Sequence, residues 1–143
     1  MKNYPSKILV ASDGSEAAER ALAHAASLAA ALDTELHLVV VGLISHWTHP
    51  DMLSGTQLER IREETRERLR TEKRKLEEAG ASAVHAHERI GKVGTEIVRL
   101  AEELDVGTIV IGNRGMGSLQ RMLLGSDAED VVRHAACAVM VVH

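Results

Sequence analysis

One stretch, Gly112 to Ser126 (GNRGMGSLQRMLLGS), holds the residue types that grip a polyanion. Glycines stand at Gly112, Gly115, Gly117 and Gly125, and a glycine lets the main chain approach a ligand with no side chain between. Ser126 opens DAEDVVRHA, which has the pattern of a helix. The first N–H groups of a helix have no partners inside it and lie at the positive end of its dipole. A strand, a glycine-rich turn and a helix start together suit phosphate. The Walker loop needs Lys and Ser/Thr directly after its second glycine, and neither is present. Ser126 and Glu129 also form an S-x-x-E capping box. Ser126 is therefore expected to cap the helix when the site is empty and to offer its N–H to phosphate when it is filled.

A second candidate is Asp13, which follows the apolar run KILVAS and precedes Gly14. An Asp there can serve a turn or accept hydrogen bonds from ligand hydroxyls. The histidines invite a metal reading: His46 and His49 are three apart, and His85 and His87 share one face of an extended segment. Neither pair has a third ligand at a set spacing, so no metal site is expected. Cys137 stands alone in an apolar setting and reads as packing.

The elements that must position these residues alternate. KILVAS, ELHLVVVG, SAVHAHERI, GTIVI and AVMVV read as strands, the third less apolar and so nearer an edge. After Asp13-Gly14, Ser15 caps a helix with Glu16 and Glu19 in its first turn and a stripe of Ala18, Leu22, Ala25, Ala29 and Leu32, with Leu28 beside it. Thr56 to Ala79 reads as a long helix, with Leu58, Ile61, Leu69, Leu76 and Ala79 inward. Its other faces are charged, with Glu63–Arg66 and Glu64–Arg68 as helical ion pairs. A further helix runs to Leu104 with Ile97, Leu100 and Ala101 inward. Strand–helix alternation predicts an α/β fold: a doubly wound, five-stranded parallel sheet, order 3-2-1-4-5, with helices on both faces. Asp13 and Gly112 end strands one and four, either side of the point where strand order reverses. Ligands bind such sheets there.

The spacing Gly112, two residues, Gly115, nine residues, Gly125-Ser126 resembles the nucleotide loop of the universal stress protein family. So do VASDGS (Val10 to Ser15) and the closing VVRHAACAVMVV (Val131 to Val142). These motifs cover part of the chain, but their order fits along its whole length. The resemblance implies an ATP site, with Mg²⁺ as companion. It places Asp13 at the ribose and backbone groups near Val41 at the adenine edge. Ala11, Ser12, Gly112, Asn113, Arg114, Gly115, Gly117, Gly125, Ser126 and Asp127 complete the nucleotide-binding set. Ala11 stands where the family often has a residue two before Asp as Pro. Asp127 stands where relatives usually carry a small or apolar residue, so its charge beside phosphates is expected to weaken binding. The resemblance also implies a homodimer through Ala138 to Val142, an apolar edge strand that needs cover.

At 143 residues the chain reads as one domain, 1–143, able to bury roughly 68–70% of its unfolded surface. A formal charge of −4 leaves no footprint for nucleic acid, and one Trp, one Tyr and no Phe leave no stacking platform for single strands. No apolar run approaches membrane-spanning length, and the first residues lack a signal-peptide pattern. A lone cysteine suits a reducing compartment, so a cytoplasmic protein is expected. A phosphoacceptor receiver domain needs Asp ending strand three and Lys ending strand five, where HERI and MVVH stand. A dinucleotide dehydrogenase needs G-x-G-x-x-G where SDGSEA stands. What remains is a nucleotide-binding regulatory protein. Its rivals are a very slow ATPase, lacking the cationic machinery of phosphoryl transfer, and a stress-linked interaction protein that has lost nucleotide.

Overall fold

The computed structural model describes residues 7–44, 49–115 and 124–143; Gly117, Arg121, His46 and Trp47 lie outside the described residues. Five strands, β1 (Lys7–Ala11), β2 (Glu35–Leu43), β3 (Val84–Gly91), β4 (Thr108–Gly112) and β5 (Ala138–Val142), alternate with four helices. These are α1 (Glu16–Leu32), α2 (Gly55–Glu78), α3 (Val93–Leu104) and α4 (Ser126–His134). The strands form one parallel sheet in the order β3-β2-β1-β4-β5, as expected.

Alternation along the central strands divides the core into two layers. Ile8, Val10, Leu36, Leu38 and Val110 pack under α1 and α2. Leu9, Ala11, Val39, Ile109 and Ile111 pack under α3 and α4. Fully buried Leu76, Ile97 and Leu100 anchor their helices, each stabilising by roughly 1.5–3 kcal/mol. On α1 the buried face is mostly alanine (Ala17, Ala18, Ala21, Ala25, Ala26, Ala29), so its backbone lies close to the sheet. Leu32 departs from the expected stripe and is 44% exposed, because the helix ends there. Asp33 closes it in the left-handed region (φ 49°), and Asp105 does the same for α3 (φ 59°). Asp tolerates that region better than most residues.

The long charged helix starts at Gly55, behind a capping box in which Ser54 and Gln57 bond reciprocally. Its ion pairs differ from those the spacing suggests. Arg66 Nε reaches Glu88 on β3 at 3.1 Å, and Arg68 Nη1 lies 3.9 Å from Glu72 Oε1. Glu72 is fully buried, with Lys75 Nζ 3.3 Å from its Oε2, and Lys75 also meets Glu19 of α1 at 3.2 Å. Burial opposes the Lys75 charge, but Glu19 and Glu72 outweigh it and raise the pKa. An ionic chain thus runs from Glu19 through Lys75 and Glu72 to Arg68. Among the described residues no helix is long and apolar enough to cross a membrane.

Candidate functional site

A cavity of about 540 Å³ opens at the carboxyl ends of β1, β2 and β4, where strand order reverses. Its apolar part is walled by Val39 and Val41 of β2, Val93 and Ile97 of α3, and Ile111 of β4. Its polar part is formed by Ser12, Asp13, Arg114, Gly115, Ser126 and Asp127. Ala11, Gly112 and Gly125 also line it, so ten of the twelve expected residues meet in one space. Asn113 does not line it. That residue is buried below, its N–H donating to Val142 O at 2.8 Å and its carbonyl accepting from Gly125 N at 2.7 Å. Its Oδ1 is buried with no hydrogen-bond partner among the described residues. Gly117, the twelfth, lies outside the described residues.

Asp13 sits on the turn between β1 and α1. Its Oδ1 accepts from Ser15 N at 2.9 Å, while the Ser12 hydroxyl accepts from Gly14 N at 3.2 Å. Gly14 has φ +83°, a conformation costly for other residues. Gly112 and Gly115 serve different ends. A Cβ on Gly112 would lie 2.8 Å from the Ala17 carbonyl carbon, so β4 is pressed against the start of α1. A Cβ on Gly115 would lie 2.5 Å from Asp13 Oδ2, so the two motifs meet there across the crevice.

Two expectations need correction. Ser126 does not cap α4: Gly125 is the N-cap, its carbonyl accepting from Glu129 N, and among the described residues no side chain caps the helix. Ser126 therefore occupies the first helical position, with Asp127 second. Nor can the Gly125 N–H meet a phosphate without leaving Asn113 O. The first three N–H groups of this helix belong to Ser126, Asp127 and Ala128, all cavity-lining residues.

Sequence reasoning missed the wall supplied by α2, where Glu64, Thr65 and Arg68 line the cavity. The Arg68 guanidinium covers the turn at Gly14, since a Cβ there would fall 2.1 Å from Nη1. Thr65 lies equally close to Gly42, where a Cβ would fall 2.4 Å from Oγ1. That glycine, interrupting a β-branched strand, was the available signal of close approach. The β2 backbone adds a further feature. β1 pairs with β2 only as far as Ala11, opposite Val39, and Ser12 N donates to Val39 O. Backbone groups alternate sides along a strand. The Val41 N–H and C=O therefore point to the same side as those of Val39, beyond the end of β1 and into the crevice. Away from it, burial pushes the Cys137 thiol up, which disfavours a reactive thiolate.

Sheet order and crevice together define a doubly wound α/β protein with an open cleft at its switch point. Residues 5–143 match the sequence profile of the Universal stress protein family. Over 143 residues the chain is 34% identical to a universal stress protein of Methanocaldococcus jannaschii, covering 99% of this chain and 84% of that one. The fold matches universal stress protein UspA from Lactobacillus plantarum with a TM-score of 0.84 at 25% identity, over 99% of this chain and 100% of the other. It matches a universal stress protein from Archaeoglobus fulgidus in complex with dAMP with a TM-score of 0.65 at 25% identity, over 96% and 97%. The chain belongs to the universal stress protein family.

Proposed function

We propose that the crevice binds an adenine nucleotide, ATP in particular, and that the protein is a cytoplasmic regulatory module whose state follows nucleotide occupancy. The observation that carries this is one cavity with an apolar slot at one end and the first turn of α4 at the other. The dAMP complex of the Archaeoglobus fulgidus relative supports it. The base enters between Val41 and Ile97, its edge meeting the Val41 main chain. Asp13 accepts from the ribose hydroxyls. The phosphates meet the N–H groups of Gly115, Ser126 and Asp127, with Arg68 and Arg114 supplying positive charge. Mg²⁺ accompanying the phosphates would offset the Asp13 and Asp127 carboxylates.

Binding rather than turnover is the role these groups suit. Fast phosphoryl transfer needs a positioned water and strong cationic stabilisation of the transferring group. The test is extraction of ligand from the purified protein, identified by mass spectrometry, with ATP titrated into the emptied chain and into Arg68→Ala. Recovered ATP and an affinity loss of at least about tenfold in the variant are expected. ADP accumulating from ATP would mark a slow ATPase. An empty chain that ATP does not stabilise thermally would instead favour an interaction module, the outcome Asp127 makes worth testing.

A homodimer belongs to the same proposal. β5 lies at the sheet edge with Val139, Met140 and Val141 half-buried, and two such edges can pair about a two-fold axis. Light scattering at micromolar concentration should give twice the chain mass. A monomer there would overturn the dimer.

A further inference from the structure

The sheet carries a second polar constellation, toward its opposite end. Glu35 and His37 on β2 share one face, and register pairs His37 with His85 and Val39 with His87 on β3. His37 is 4% exposed. Its Nε2 lies 2.6 Å from Glu35 Oε1, and its Nδ1 lies 2.9 Å from His87 Nε2. The His85 and His87 rings stack on it, with centroids at 4.7 and 5.1 Å. Burial, more than neighbouring charge, holds His37 and His87 below the usual histidine range. A core histidine that needs a partner for each nitrogen explains Glu35 and His87. It does not explain His85, whose Nε2 converges on the same Glu35 oxygen at 3.6 Å.

Ligand atoms of Glu35, His37 and His85 lie within 4.8 Å of one another. Around tetrahedral zinc, with bonds of about 2.0–2.1 Å, neighbouring ligand atoms stand roughly 3.3 Å apart. Glu35 must draw back from His37 by a fraction of an ångström, and the His85 ring must turn out of its stack on His37 so that both in-plane lone pairs can meet one ion. Their side chains are 43% and 53% exposed, so the adjustment falls on the two that can move. His37 stays fixed, its second nitrogen held by His87 as outer partners hold a ligating imidazole. Lys7, opposite Glu35 in register, turns its ammonium to Leu104 O at 3.0 Å.

We propose that Glu35, His37 and His85 bind a divalent transition-metal ion of the zinc class, with His87 as a positioning residue and a coordination position left open to solvent. Two imidazoles and one carboxylate favour such an ion over Mg²⁺ or Ca²⁺. His37 precedes Val41 by four residues, about 13 Å along the strand, so this site is separate from the nucleotide crevice.

The test is a zinc titration of the full chain, stripped with chelator and free of nucleotide, in competition with a chromophoric chelator. One equivalent should bind. His85→Ala and Glu35→Gln should each weaken it by at least about tenfold. His24→Ala, at an exposed histidine on α1, should leave it unchanged. Cobalt loaded into the unaltered chain should show the visible absorption of a four-coordinate ion, a readout that stands even if a variant fails to fold. No saturable zinc binding below about 100 µM would overturn the site. So would undiminished affinity in a chain carrying both His85→Ala and Glu35→Gln, or a cobalt spectrum like that of the hydrated ion.

Discussion

Replacing Asp127 with alanine tightens ATP binding by about ten- to hundredfold in titration calorimetry. The carboxylate stands in the first turn of α4 and lines the crevice, half-buried. There it complements the helix dipole, a gain of roughly 0.3–1 kcal/mol to folding. Phosphates drawn to the same helix start meet the same charge. At about 6 Å and an effective dielectric near 20, each phosphate charge is repelled by on the order of 1–3 kcal/mol. The two effects have opposite signs in the variant: a slightly less stable apo chain and a tighter complex. Added salt should narrow the affinity gap between the two proteins, because part of the repulsion is screened. Equal affinities at low salt would defeat the repulsion account.

Adding side chains at Gly112 and at Gly115 should separate stability from binding. A Cβ at Gly112 meets the Ala17 carbonyl carbon, oxygen and Cβ at 2.8–2.9 Å, and main chain inside a packed helix cannot step aside. Gly112→Ala therefore costs about 1–3 kcal/mol, the usual penalty of overpacking. In a thermal melt this is a drop of several degrees, at about 3–5 °C per kcal/mol for a chain this size. Among the described residues a Cβ at Gly115 meets only the Asp13 carboxylate, a side chain that can rotate where main chain cannot. Gly115→Val should keep the melting temperature near that of the unaltered chain, while ATP affinity falls by at least about tenfold as Asp13 is displaced and the main chain covered. A stable Gly112→Ala, or a Gly115→Val that binds normally, would contradict this division.

The sheet was legible because its information is local. KILVAS and GTIVI are continuous apolar runs, the helices between carry stripes at helical spacing, and alternation leaves few ways to wind the chain. Asp13, Gly112 and Gly115 could be expected side by side because strand ends fix their positions. What stayed hidden depends on contacts between distant residues. The face of α2 bearing Glu64 and Arg68 has the charge density of a solvated helix, and only its lean over Gly14 and Gly42 brings it to the site. Gly125 looks like a phosphate donor until its N–H is seen on Asn113 O. His37 stands far from His85 and His87 in the chain, and parallel register alone makes them neighbours. Leu32 fits the stripe by spacing but falls where Asp33 ends the helix.

The hydrogen bond from Gly125 to Asn113 has a mechanical meaning. Whatever path lies between, its two ends are clasped to each other, and Asn113 is moored in turn to the final strand at Val142. The segment is a closed ring hung from the scaffold, and the cost of enlarging such a ring rises only with the logarithm of its length. Inserted residues would lengthen the ring and leave the start of α4 where it is. Across descendants of this chain, the number of residues between Asn113 and Gly125 can therefore change while these two anchor points hold still.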